Sequence, residues 1–267
     1  MSKQKIILTG ATGFLGSRCL HLLEKDFEIL PFGRNTKISE IGSFKADYLI
    51  HTAAKSGHKS DQQTIPEYIE SNITFPSLVL EAFVRSGGKK VLNIGSYWQH
   101  KDNKLKSPNS FYASTKEAFE DIIDHYVVNE NLEAISLHLF DTYGPQDRRK
   151  KILNLVHEAA LSHRPLDLSG GEQLLALTHV DDVVAAMKAS LNSFSATHQK
   201  FFVRTQEILT LKEVVELYLK VNDLKATLNW GVHPYSPRDF FQKLDVLPDL
   251  PRWKAEVKLE TGLKNLF

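Results

Sequence analysis

The chain has one cysteine, Cys19, among 267 residues, so no internal disulfide can form and the core alone must hold the fold. Cys19 lies on the apolar face of a helical pattern and reads as inert core. Charge of one sign is missing too. With 33 Lys and Arg against 32 Asp and Glu, the formal net charge is +1, which argues against a nucleic-acid partner held by bulk electrostatics. No apolar run approaches the ~18 residues of a membrane span, so no membrane partner is expected. The opening MSKQK runs straight into a strand pattern and leaves no room for a signal peptide. Internal repeats and low-complexity segments are absent, and no metal site is expected. What remains is 42% hydrophobic and 24% charged, which suits one large globular unit or two small lobes with ample core. A cytoplasmic enzyme is the natural class.

Against these absences one segment stands out. Residues Lys5 to Gly16 read KIILTGATGFLG. The apolar run Ile6-Ile7-Leu8 ends in a turn with glycines at Gly10, Gly13 and Gly16, and a helix pattern follows with Leu15, Cys19, Leu22 and Leu23 on one face. A buried strand that enters a helix through such a turn is the phosphate-cradling start of a dinucleotide fold. Gly10 permits the sharp turn, Gly13 lets backbone approach a pyrophosphate, and Gly16 lets helix and strand pack closely. The helix N-terminus offers unpaired N–H groups and a positive dipole end to the anion. The spacing is G-x-x-G-x-x-G, not the G-x-G-x-x-G of ordinary dehydrogenases. The bland alternative is a glycine-rich turn with no ligand.

Strands and helices then alternate, as a doubly wound parallel α/β sheet requires. Strands are expected at Lys5–Thr9, Glu28–Phe32, Tyr48–Thr52, Lys90–Ile94 and Ala134–Leu139. Helices are expected at Leu15–Lys25, Pro66–Ser86 with a bend at Pro76, and Tyr112–Asn129. The last two are long and amphipathic. They suit pairing with their copies in a homodimer, though core packing explains the pattern equally well. After Gly144-Pro145 comes a charged loop, QDRRKK, then helices at Ile152–Ser162, His179–Ser190 and Leu211–Val221, the last opened by Thr210 as N-cap. A strand is expected at Phe201–Arg204. Four prolines between Gly231 and Phe267 predict a tail that is mostly loop until Leu259.

The second constellation is Tyr112-Ala-Ser-Thr-Lys116. Four residues of helix put phenol and ammonium on one face, one turn apart. A nearby cation is expected to lower the tyrosine pKa so that it passes a proton near neutral pH. Ser96 ends the apolar strand before this helix, at the carboxyl edge of the sheet where ligands bind. Its hydroxyl can bond the same oxygen that Tyr112 protonates.

TGATGFLG, HTAA (His51–Ala54), Asn72, Ser96 and Tyr112-x-x-x-Lys116 resemble the extended short-chain dehydrogenase/reductases, the NAD-dependent epimerase/dehydratase family. The strings YGP (Tyr143–Pro145), HVDDVVAA (His179–Ala186) and LTLKEVVEL (Leu209–Leu217) carry the resemblance over nearly the whole chain. GSYWQH, FYASTKEAFEDII, LFDTYGPQDRRKK and GGEQ are similar to nucleotide-sugar 4-ketoreductases of the abequose-synthase type, which act in O-antigen and related deoxysugar pathways. The resemblance implies a Rossmann-like domain over residues 1–144 and about 176–204. A smaller mixed C-terminal substrate lobe would span about 145–175 and 205–267. It also implies hydride transfer to C4 of a nucleotide-linked 4-keto-6-deoxy sugar. Ser96, Tyr112 and Lys116 would be catalytic, and Lys116 would also bind the nicotinamide ribose. Gly10, Thr12, Gly13, Phe14, Leu15 and Gly16 would meet the cofactor's pyrophosphate side. Ala53, Ala54, Lys55 and Asn72 would line its nicotinamide ribose side. Trp98, His100, Asp141 and Gln173 would face the sugar nucleotide.

Departures from the family pattern narrow the reading. Dehydratases follow the catalytic hydroxyl with an Asp-Glu pair, and here those positions hold Tyr97 and Trp98. The epimerising reductases place a cysteine where Trp98 stands, and His157 or His179 are the candidate acid–base residues for an epimerase. The arginine that many members carry before the HVDD segment is absent, so a diphosphate must find its cations among Lys151, Arg204 and Arg238. In NAD users a carboxylate ends the second strand and holds the ribose. Here Phe32 is followed by Gly33-Arg34-Asn35, and Arg34 can bind a 2′-phosphate, so NADPH is favoured over NADH. Phe44 is expected to cover the adenine edge. The competing classes are a catalytically idle NADP(H)-binding sensor and a reductase of a non-nucleotide carbonyl.

Overall fold

The structure is a computed structural model that describes residues 3–57, 60–264 and 266–267. Strand β1 (Lys5–Thr9) has Ile6, Ile7 and Leu8 wholly buried, which an apolar run achieves only when both faces of its sheet are covered. Helix α1 (Phe14–Leu23) leads to β2 (Glu28–Phe32), α2 (Ser39–Phe44) and β3 (Tyr48–His51). Helices α3 (Thr64–Ile69) and α4 (Phe75–Arg85) flank a π-helical turn at Glu70–Thr74, and β4 (Lys90–Ser96) follows. Helix α5 (Phe111–Glu130) and β5 (Glu133–Leu139) complete the alternation. Beyond it come β6 (Thr142–Tyr143), α6 (Ile152–Ser162), β7 (Leu166–Asp167), β8 (Leu174–Leu175), β9 (Thr178–His179) and α7 (Val180–Ser190). The chain ends through β10 (His198–Val203), β11 (Leu209–Thr210), α8 (Leu211–Val221), β12 (Leu228–Asn229) and α9 (Leu259–Leu263).

Six strands form one parallel sheet in the order β2-β1-β3-β4-β5-β10. The doubly wound α/β expectation is met, and the order reverses between β1 and β3, which opens a crevice at their carboxyl ends. One face is filled by α1 and α7, with Cys19, Leu23, Val183 and Met187 buried on Ile6 and Leu8. The other is filled by α2, α4 and α5, with Ile41, Leu80, Phe83 and Phe119 buried on Ile7 and Val91. A third cluster joins α6, α8 and α9 through Val156, Val215, Tyr218 and Leu263. Short strand pairs β7–β12, β8–β11 and β6–β9 surround it.

The single helix expected at Pro66–Ser86 is divided. Pro76 has no N–H to give the Asn72 carbonyl four residues back, and the ladder widens instead: the Phe75 N–H reaches the Glu70 carbonyl. The long tail is loop, as expected, but it is tied down. Phe202 of β10 bridges Asp249, Leu250 reaches the core, and Asp182 accepts the N–H groups of Glu256 and Val257 at 3.1 and 3.0 Å. The strand expected at Phe201–Arg204 begins at His198. Thr210 caps α8 in a capping box with Glu213. No helix among the described residues is long and apolar enough to cross a membrane.

Candidate active site

The glycine turn is built for close approach. Gly10 sits at φ +74°, and its carbonyl accepts the Gly13 N–H at 2.9 Å. A Cβ on Gly16 would lie 2.0 Å from the Gly10 oxygen, and one on Gly10 would lie 2.6 Å from the Ala53 nitrogen. The turn therefore touches the end of β3, and only glycine fits. Gly13 begins α1 with no side chain capping it, so the first-turn N–H groups around Phe14 and Leu15 are open to an anion beside exposed Thr12 and Gly13. These are the features a dinucleotide pyrophosphate needs, and the residues present fit one. Arg18 of α1 binds Asp181 of α7 at 2.8 Å, which fixes the helix under the turn.

The loop after β3 carries Ala53, Ala54 and Lys55. Asn72, placed by the π-helical turn, holds it: its Oδ1 accepts the Lys55 N–H at 2.7 Å, and its Nδ2 donates to the Lys55 carbonyl and to Thr115 Oγ1 of α5, each at 2.9 Å. At 1% exposure with its amide fully engaged, Asn72 staples the loop to α5 and does not itself reach a cofactor, contrary to the sequence expectation. Arg34 and Lys55 do come together, lining a cleft of about 440 Å³ with Pro66, Glu67, Glu70 and Ser71. Lys55 pairs with Glu67, while Arg34 and Asn35 are exposed after β2. Phe44 packs into the core below α2, with the Lys5 ammonium 5.0 Å from its ring, and is not among the residues of that cleft.

Ser96 ends β4, Tyr112 lies in the first turn of α5, and Lys116 follows one turn later. The Ser96 hydroxyl stands near the Tyr112 phenol, favouring its ionised form, and accepts the Trp98 N–H at 3.3 Å. The Trp98 ring meets the Tyr112 ring edge-on at 6.0 Å. Burial pushes the phenol up to about 12, against the influence of the nearby Ser96 hydroxyl and the Arg149 charge. Burial pulls the Lys116 ammonium down to about 8, with the Glu120 charge opposing. The expectation that Lys116 depresses the phenol is thus corrected: desolvation outweighs the neighbouring charges. The outcome is a tyrosine that carries its proton at neutral pH, the state a proton donor needs. Arg149 was invisible in the sequence beyond the charge of its loop. Its guanidinium lies 4.3 Å from the Phe14 ring and bonds the Thr142 carbonyl at 2.9 Å and Asp147 at 2.6 Å, which sets it between the glycine turn and Tyr112.

Trp98, Gln173 and Arg238 come together around a cavity of about 290 Å³, with Tyr97, Leu174, Leu175, Ser236, Asp239 and Phe240. Asp141 accepts the Tyr97 hydroxyl at 3.0 Å. The Tyr97 ring is enclosed by Phe140 and Phe240 at 4.7 and 4.8 Å, and burial followed by the Asp141 charge lifts its phenol well above the ordinary range. Lys151 stands at the N-terminal boundary of α6 and donates to the Thr142 carbonyl at 3.2 Å, with the pKa of its ammonium lowered by burial.

Two residues expected at the substrate lie elsewhere. His100 is 2% exposed and spans from His138 at 2.9 Å to the Lys104 carbonyl at 3.2 Å, beneath the site. Arg204 is 5% exposed, lies between Phe140 and Phe202, and binds Asp249 at 2.8 Å and the Leu244 carbonyl, so its charge serves the tail. His157 bonds the Tyr218 hydroxyl at 2.7 Å, and His179 caps α7 by accepting the Asp181 N–H at 3.2 Å.

Comparison with known proteins agrees with this geometry. The model of the NAD dependent epimerase/dehydratase family matches residues 6–203. The chain is 27% identical to a CDP-abequose synthase of Yersinia pseudotuberculosis, over 92% of this chain and 97% of that one. It is 26% identical to a CDP-abequose synthase of Salmonella muenchen, over 99% and 97%. A solved UDP-glucuronic acid 4-epimerase from Bacillus cereus, in complex with UDP-glucuronic acid and NAD, superposes with a TM-score of 0.83 at 21% identity, covering 97% of this chain and 96% of that one.

Proposed function

The chain belongs to the NAD dependent epimerase/dehydratase family, and we propose that it is an NADPH-dependent reductase of the C4 keto group of a nucleotide-linked 4-keto-6-deoxy sugar. One observation carries this reading. Tyr112 is half-buried, holds its proton and stands near the Ser96 hydroxyl, while the two residues after Ser96 offer nothing that strips a proton from carbon. Tyr97 is enclosed by aromatic rings and bonded to Asp141, and Trp98 is an indole. A site so equipped protonates an oxygen and does no further acid–base work on the ring. The two abequose synthases, aligned along almost their whole length, support the same substrate class.

The glycine turn, the open N-terminus of α1 and the loop at Ala53–Lys55 would hold the nicotinamide cofactor, with Arg34 at its adenosine ribose. When bound, that cofactor supplies a hydride. Tyr112 gives its proton to the alkoxide that grows on the carbonyl oxygen and regains it from solvent. Ser96 holds that oxygen, and Lys116 steadies the phenolate. Trp98, Gln173, Arg238 and Asp141 would position the sugar nucleotide from the cavity side. In this reading residues 1–144 and about 176–204 bind cofactor, and about 145–175 and 205–267 bind substrate.

The test is direct. Purified protein is incubated with NADPH and a panel of CDP-, dTDP- and GDP-linked 4-keto-6-deoxy sugars, and loss of reduced cofactor is followed by absorbance. Oxidation with one of the sugars is expected. Consumption with an unrelated ketone and with none of the sugars would overturn the substrate class. Interconversion of 4-hydroxy sugars without net oxidation would make the enzyme an epimerase.

A further inference from the structure

Beneath Ser96 lies a buried polar cluster that proton transfer at Tyr112 does not use. Its centre is Gln99, which is wholly buried. The Gln99 Oε1 accepts the Ser96 backbone N–H at 2.9 Å, closing a capping box on the short helical turn that follows β4. Its Nε2 donates to Glu117 Oε2 at 2.8 Å and to Glu120 Oε1 at 3.2 Å, both on α5. Every hydrogen of that amide is therefore used. A glutamate would serve an ordinary capping box equally well. Here it would set a third carboxylate against two others and have no donor to offer them.

Glu120 is itself anchored. It is wholly buried, and its carboxylate meets His138 Nε2 at 3.0 Å and Lys200 Nζ at 2.9 Å. Burial opposes its ionisation, yet His138, Lys200 and His198 hold it well below the usual carboxylate range. The backbone makes room for this: a Cβ on Gly95 would lie 2.9 Å from Glu120 Oε1 and 3.0 Å from the His138 ring. The residue just before Ser96 is thus a glycine for the sake of the cluster below. Glu120 also stands one helical turn from Lys116, whose charge it supports. A single carboxylate is linked to both sides of the reacting centre, through Gln99 to Ser96 and along α5 to Lys116.

We propose that Gln99, clasped by Glu117 and Glu120, is a positioning residue that fixes the Ser96 backbone and thereby aims the Ser96 hydroxyl at the oxygen that Tyr112 protonates. Within this assembly the hydroxyl is the part that would meet substrate. Misplacing a reacting group by about an ångström costs up to about a hundredfold in rate, which sets the scale for losing the clasp. The role rests on the reductase reading for its catalytic consequence, but the clasp itself has a readout that needs no substrate.

The experiment compares wild type, Gln99→Met, Ser96→Ala and the double variant, each as the full chain. Gln99→Met should lower kcat roughly 10- to 100-fold with the KM for NADPH unchanged. On the Ser96→Ala background it should lower kcat less than about threefold, because the hydroxyl it aims is already gone. Equal losses on both backgrounds, or no loss in wild type, would overturn the proposal. Amide hydrogen exchange by NMR gives the substrate-free readout: the Ser96 N–H should exchange faster in Gln99→Met while Val91 to Ile94 stay protected. Unchanged Ser96 exchange would also overturn it. If wild type turns over no sugar, the reductase reading fails and the exchange experiment still decides the clasp. If Gln99→Met does not fold, Glu117→Ala removes one of the two acceptors at the edge of the core and is expected to show the same pattern more weakly. Full kcat and unchanged Ser96 exchange in that variant would count against the clasp.

Discussion

Replacing Asn72 by alanine separates two roles that its position near the cofactor crevice would otherwise blur. In the structure its amide makes three protein hydrogen bonds, two to the Lys55 backbone and one to Thr115. A buried protein hydrogen bond is worth about 0.5–1.5 kcal/mol net, and a buried donor left unpaired costs about 1–3 kcal/mol. The two bonds to Lys55 are part-buried and the one to Thr115 is buried, so loss of all three in Asn72→Ala should destabilise the cofactor-free protein by about 2–4 kcal/mol. For a chain of this size that corresponds to a fall in Tm of roughly 5–15 °C. The loop at Ala53–Lys55 should loosen as well, so the KM for the cofactor should rise. The assay is thermal unfolding without cofactor, paired with steady-state kinetics. A destabilisation below ~0.5 kcal/mol together with a raised KM would refute the reasoning, since that is what loss of a direct cofactor contact would give.

Tyr112→Phe should lower turnover by about 10²–10⁴-fold while NADPH binding, followed by fluorescence titration, is retained; full activity would remove Tyr112 from the chemistry. Lys116 ionises at about 8 in the folded chain against an ordinary 10.5, so kcat/KM for the cofactor should fall as pH rises through about 8. The unfolded chain binds the extra proton between those two values, so this group's contribution makes the protein more stable as pH rises across that window. An activity profile flat well above pH 8 would show that the ammonium is not required. Arg34→Ala should raise the KM for NADPH far more than that for NADH, and equal effects on both would undo the cofactor preference.

What was legible in the sequence is what local chemistry dictates. The run Ile6-Ile7-Leu8 can be stable only as a strand covered on both faces, and the glycines after it announce a turn without room for side chains. Ser96 at a strand end and Tyr112 four residues before Lys116 are patterns of fixed reach, and the structure brings them together. Contacts made across the fold were not legible. Glu120, His138, His100 and Lys200 are far apart in the chain and look like ordinary surface charges, yet they meet in the core. Nearness to Ser96 in the chain therefore points His100 at substrate, and charge alone points Arg204 at a diphosphate. Tail residues claim Arg204, and no local pattern announced them. The π-helical turn follows from the N–H that Pro76 lacks, but its effect of presenting Asn72 to the Lys55 backbone depends on where α5 lies.

Isotope tracing tests the central claim most directly. The reaction is run once with NADPH deuterated on the transferring face and once with ordinary NADPH in deuterium oxide, and the sugar product is read by NMR. A 4-ketoreductase places the cofactor's deuterium on C4 and takes nothing from solvent onto carbon. Solvent deuterium at C3 or C5 would mean that the site also exchanges carbon-bound protons, and absence of cofactor deuterium from C4 would contradict hydride delivery there.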